Sequence, residues 1–95
     1  MEIVSIRHKA LKRFYETGIA KGLDGNLVYR LGRMLALISD AAEFGELFEP
    51  PNYGMHSLVG NREGEWAMIV SRNWRLTFRK ADDEAIADLN LEDYH

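Results

Sequence analysis

The sequence has 95 residues, 46% of them hydrophobic, which suffices for one compact core and is too short for two, so residues 1–95 are expected to form a single domain. It has no cysteine, which excludes disulfides, thiolate metal sites and thiol nucleophiles. The net charge of -3 argues against tight binding to free nucleic acid, because phosphate affinity comes mainly from Lys and Arg. The charge is unevenly spread, however. Arg7, Lys9, Lys12, Arg13, Lys21, Arg30 and Arg33 make the first third basic, as does the stretch 62–80, whereas acid gathers in 40–49 and 82–93. A local cationic face suits RNA that another particle holds in place.

In chain order, residues 3–6 (Ile3-Val4-Ser5-Ile6) form a short β-prone run. A helix follows over 9–16, with Ala10, Leu11, Phe14 and Tyr15 on one stripe and Gly18 as its C-cap. After Asp24-Gly25-Asn26, a second helix carries Leu27, Leu31, Met34, Leu35 and Ile38 at helical spacing, with Asp24 or Asn26 available as N-cap and Arg30 and Arg33 on its other side. The acidic tract through Glu49 and the pair Pro50-Pro51 read as a loop. Strands are predicted at 55–58, 65–70, 74–79 and 84–91, with Gly60-Asn61-Arg62-Glu63-Gly64 as a hairpin turn. The order β-α-α-β-β-β-β implies an α+β fold, two N-terminal helices on a mainly antiparallel sheet. Alternation along 74–79 puts Trp74, Leu76 and Phe78 under the helices and leaves Arg75, Thr77 and Arg79 on an open face.

No apolar run is long enough to span a membrane, and the opening Met1-Glu2-Ile3-Val4-Ser5-Ile6-Arg7 lacks the pattern of a secretory signal, so a cytoplasmic protein is expected. The three histidines, His8, His56 and His95, show no metal-ligand spacing, and no phosphate-cradling glycine loop or nucleophile elbow occurs. Neither a metal nor a cofactor is expected. The ending Leu91-Glu92-Asp93-Tyr94-His95 gathers ionisable and aromatic groups where disorder is the usual outcome. For His95 alone, a solvated terminal residue is the simpler reading. Together with His56 and the open arginine face, it reads as the acid-base apparatus of an RNase.

Cleaving RNA without a metal requires a base for the 2′-OH proton, a cation for the charge building on the phosphate, and an acid for the departing 5′ oxygen. Histidine suits both proton roles, and a carboxylate such as Asp93 favours the protonated form of a neighbouring imidazole. Arg75 is the candidate for phosphate stabilisation, and Tyr94 for orienting the scissile group, stacking on a base or transferring a proton. Arg62, Arg79 and Lys80 would hold flanking phosphates. For Arg75 and Arg79 the alternative is a cross-strand ion pair with the acidic last strand.

The stretch His56-Ser57-Leu58-Val59-Gly60-Asn61-Arg62-Glu63-Gly64-Glu65-Trp66, the stretch Val70-Ser71-Arg72-Asn73-Trp74-Arg75-Leu76-Thr77-Phe78-Arg79 and the ending Glu92-Asp93-Tyr94-His95 resemble the HigB toxins of the RelE/ParE superfamily. The opening Ile6-Arg7-His8-Lys9-Ala10-Leu11-Lys12-Arg13-Phe14-Tyr15-Glu16-Thr17-Gly18 is similar to the first helix of that family. The resemblance implies a microbial-RNase-like fold and ribosome-dependent cleavage of mRNA in the A site. It also implies a helix-turn-helix HigA-type antitoxin as partner, with operator DNA reached only through that antitoxin. By similarity, His56, Arg75, Asp93, Tyr94 and His95 take active-site positions. Many relatives read H-x-L-K where this sequence has His56-Ser57-Leu58-Val59, so a lysine that assists phosphate stabilisation is replaced by Val59. Two other readings share the scaffold: a ParE-like gyrase poison, and a partner-binding module with weakened catalysis.

Overall fold

The computed structural model describes residues 1–94. Its regular elements are β1 (Glu2–Ile3), α1 (Lys9–Thr17), α2 (Val28–Asp40), β2 (His56–Ser57), β3 (Glu65–Ile69), β4 (Trp74–Asp82) and β5 (Ala85–Asp93). The strands form one sheet in the order β1-β5-β4-β3-β2. β1 runs parallel to β5, and the other neighbours are antiparallel. The α+β reading with this element order therefore holds, and the sheet places the first strand beside the last.

α1 starts where the His8 ring accepts a hydrogen bond from Leu11 N at 3.1 Å, a cap that satisfies one of the helix's orphan donors. It ends at Gly18, whose φ of 78° supplies the left-handed turn that glycine tolerates best. Asp24 accepts from Asn26 N and caps a short helical turn, Gly25–Leu27, that runs into α2. Leu11 of α1 and Leu31, Met34 and Ile38 of α2 then meet Met68, Leu76, Phe78, Ile86 and Leu89 of the sheet in one core. Trp74, on the same face, is only partly buried against it.

Two local features depart from the expected pattern. The tract 40–51 is not an irregular loop: it winds into short 3₁₀ turns at Phe44–Phe48 and Pro51–Tyr53 that bury Phe44, Leu47 and Tyr53. Phe44 stands edge-to-face on Trp66 at 5.3 Å and on Phe78 at 6.3 Å, and Phe48 on Trp66 at 5.4 Å, so aromatic packing holds down a segment whose charges suggest exposure. The second feature is a β-bulge where the β4–β5 register shifts between Thr77 and Arg79. Asp88 adopts a positive φ of 55° there. The extra residue lets Ile86 and Leu89, three positions apart, both enter the core, which strict alternation forbids.

Candidate active site

The face of the sheet away from the helices is built by cross-strand rows. His56 on β2 pairs with Ala67 on β3, and Ala67 with Thr77 on β4, so the three side chains share one face. Two residues along β4, Arg75 pairs with Glu92 of β5 on that same face. Between them lies a pocket of about 290 Å³ lined by His56, Ala67, Arg75, Thr77, Glu92 and Tyr94, among others. Ala67 and Thr77 are buried and form its floor; the small Ala67 side chain keeps the space between His56 and Arg75 open.

His56 is exposed, and its Nδ1 lies 2.7 Å from the Gly54 carbonyl oxygen. A carbonyl can only accept, so Nδ1 carries a proton, and in the neutral form of the ring the lone pair is on Nε2. The Arg75 guanidinium donates through Nη1 to the carbonyls of Ser71 at 2.6 Å and Trp74 at 3.1 Å, and its carbon sits 4.2 Å from the centre of the Tyr94 ring. Tyr94 N donates to Asn73 O at 2.6 Å, which ties the end of the chain to the turn between β3 and β4. The hydrogen bonds and the ring stacking hold Arg75 across the pocket from His56.

The other expected residues are distributed differently. Asp93 pairs with Trp74, next to the Arg75–Glu92 pair, and contributes to the pocket lining. His95 lies outside the described residues. Arg62 reaches the pocket but turns inward: it donates to Glu92 through Nη1 at 2.9 Å and Nη2 at 2.7 Å, and to Glu65 through Nη2 at 2.8 Å and Nε at 3.2 Å. Arg79 is exposed and lies 3.8 Å from Glu65 and 3.9 Å from Asp88. The last strand therefore pairs with Arg79, as the structural alternative envisaged, while Glu92 turns to Arg62. Lys80 stands opposite Ile86, on the helix side, with its Nζ 5.0 Å from the Phe44 ring and 3.5 Å from Asp83. It is turned away from the pocket, because alternation sends the residue after Arg79 to the other face.

Glu92 is the pocket residue that sequence reasoning missed. Besides the two bonds from Arg62, it accepts a hydrogen bond from the Thr77 hydroxyl. The Arg62 hydrogen bonds, reinforced by that hydroxyl, hold its carboxyl below the ordinary carboxylate range against the opposing effect of burial, and Arg62 does the same for Glu65. Its position opposite Arg75 was available from strand register, but a partner thirty residues away was not. Elsewhere a larger groove of about 600 Å³ runs along α2, lined by Tyr29, Arg30, Arg33 and Tyr53. There Arg30 braces the chain by donating to Asn52 O and Ile69 O. That groove contains no histidine. Among the described residues, no three His, Asp or Glu side chains group as metal ligands.

The family model for HigB-like toxins, described as the RelE-like toxin of the type II toxin-antitoxin system HigB, matches residues 4–95. The chain belongs to this family. It is 42% identical over 93 residues to a Proteus vulgaris protein named Endoribonuclease HigB, covering 98% of this chain and 99% of that one. Among solved structures, a point mutant of YafQ from E. coli superposes with a TM-score of 0.62 at 19% identity, covering 97% of this chain and 91% of that one. The YoeB/ParE toxin from Agrobacterium tumefaciens gives 0.57 at 14% identity, covering 100% and 99%. At those identities the two structures speak for the fold. The chain is thus a type II toxin, and an antitoxin is its implied partner.

Proposed function

We propose that this HigB-like toxin is a metal-independent endoribonuclease that cuts messenger RNA in the ribosomal A site and so arrests translation and growth. The whole chain acts as one domain in the cytoplasm. A HigA-type helix-turn-helix antitoxin neutralises it, and operator DNA is reached only through that antitoxin. No helix of the described chain is long and apolar enough to cross a membrane. The 42% identity to an endoribonuclease over nearly the full length supports the activity.

The observation that carries the reading is the pairing, in one pocket, of a histidine with a fixed proton position and a braced arginine. His56 Nε2 removes the proton of the ribose 2′-OH, and the 2′ oxygen attacks the adjacent phosphorus. Arg75 stabilises the charge that builds on the phosphate oxygens, and its bonds to Ser71 and Trp74 carbonyls remove the need to reorganise during reaction. The 5′ oxygen leaves with a proton from His95, and Asp93 and Tyr94 complete the catalytic set. The products are a cyclic phosphate and a free 5′-OH. Val59 is 84% exposed at the rim, so phosphate stabilisation falls to Arg75 without a lysine there.

The test is cleavage of a defined message by purified toxin, with and without translating ribosomes, read as mapped RNA ends. His56→Ala, Arg75→Ala and His95→Ala are each expected to lower the rate by roughly a hundredfold or more with an unchanged melting temperature. Equal cutting of naked message would remove the ribosome from the reading. Growth arrest that survives all three changes with intact transcripts would replace it by a gyrase poison, and intact transcripts with normal growth by a partner-binding module.

A further inference from the structure

The pocket offered to an anionic substrate contains a carboxylate, and that requires an explanation. Glu92 stands directly opposite Arg75 in the β4–β5 ladder. A bare negative charge at that place would repel any phosphate approaching Arg75. Glu92 is also poorly suited to act as a base: its oxygens accept from Arg62 Nη1 and Nη2 and from the Thr77 hydroxyl, so three of its roughly four acceptor sites are engaged, and Arg62 holds its carboxyl below the ordinary carboxylate range.

Arg62 is committed to the same degree. Four of the five N–H donors of a guanidinium are accounted for by its bonds to Glu92 and Glu65. It cannot present a phosphate with the two-pronged fork that makes arginine a good phosphate ligand. Arg62 bridges Glu65 and Glu92, while Arg79 is shared between Glu65 at 3.8 Å and Asp88 at 3.9 Å, and Arg75 stands outside this network.

We propose that Arg62 is a positioning residue for RNA binding that acts through Glu92, neutralising and pinning this carboxylate beside the phosphate site rather than touching the phosphate itself. This assignment rests on the RNA-cleaving reading above. It makes the contribution of Arg62 to affinity conditional on the charge of its partner. Removing Arg62 exposes the Glu92 charge to the substrate; removing that charge as well makes Arg62 dispensable.

The experiment compares wild type, Arg62→Ala, Glu92→Gln and the double variant. Cleavage kinetics are measured on translating ribosomes, binding is measured to ribosomes whose message carries a 2′-deoxynucleotide at the cleaved position, and melting temperatures are taken in parallel. Arg62→Ala is expected to raise KM and Kd roughly tenfold with kcat changed less than about twofold. Adding Glu92→Gln should bring both back to within about threefold of wild type, although the double variant melts no higher than Arg62→Ala. A merely structural role predicts the opposite, since the second change removes further bonds. If the double variant keeps the weakened KM and Kd, Arg62 contacts phosphate directly and the proposal is overturned. An unchanged KM in Arg62→Ala overturns it too. A wild type that cuts and binds as stated confines either failure to this inference; a wild type that neither cuts nor binds removes the functional reading and the inference together.

Discussion

Gly54 sets the orientation of His56 from two positions away. Its φ of 52° lies in the left-handed region, and a Cβ built there would come within 2.7 Å of Ile69 Cδ1, while its carbonyl holds His56 Nδ1. Gly54→Ala puts a Cβ at a left-handed backbone position and makes the end of the Ile69 side chain shift. It should cost about 1–3 kcal/mol in a denaturant titration and lower the cleavage rate more than its stability loss explains, because the ring loses its fixed proton position. Val59 allows the reverse experiment. It is exposed at the pocket rim, so Val59→Lys adds a cation without disturbing packing. KM for translating ribosomes is expected to fall roughly three- to tenfold, with the gain shrinking as salt is raised; an unchanged KM would show that the rim does not feel the substrate charge.

Among the elements, the turn Phe44–Phe48 is the one whose character is hidden in the sequence. Its glutamates advertise solvent, yet Phe44 is buried against Trp66 and Phe78. Phe44→Ala should destabilise the protein by about 3 kcal/mol or more and loosen the 40–51 segment in hydrogen exchange, leaving Arg75 and His56 in place. The two helices and the four later strands were readable because their apolar residues recur at the periods of helix and strand, as in Leu31, Met34, Leu35 and Ile38 or in Leu76 and Phe78. Gly18 announced the end of α1, whereas the His8 cap was missed because histidine is not a usual N-cap residue. For the pocket, strand alternation alone put Arg75 and Thr77 on the open face, the needs of acid-base chemistry pointed to His56, and the resemblance gave it an active-site position. It could not reveal that Arg62 is spent on Glu65 and Glu92, or that a bulge at Asp88 shifts the phase of β5. Both depend on which distant residues meet.

For the whole molecule, the acid-base balance ties stability to pH. Glu65 and Glu92 have carboxyl pKa values lowered in the fold by Arg62, so the unfolded chain binds more protons than the native one over the intervening range. Their contribution is therefore complete above about pH 4.5, the ordinary carboxylate value, and is lost as pH falls through the lowered values. Melting temperature should decline on that acid side, and Arg62→Met should flatten this part of the profile by returning both carboxyls toward their unfolded behaviour. A slope unaffected by Arg62→Met would assign acid sensitivity to other groups.

The sheet order has a further consequence for how the toxin comes into being. β5 lies between β1 and β4, so β1, synthesised first, waits for a strand made much later, and the core cannot close around a partial chain. The strand that completes the fold also carries Glu92 and leads into Tyr94. A chain whose β5 has not yet been made accordingly lacks the strand that joins β1 to β4 and, with it, the Glu92 wall of the pocket. The core and the pocket are thus completed in one step, when β5 docks between its two neighbours.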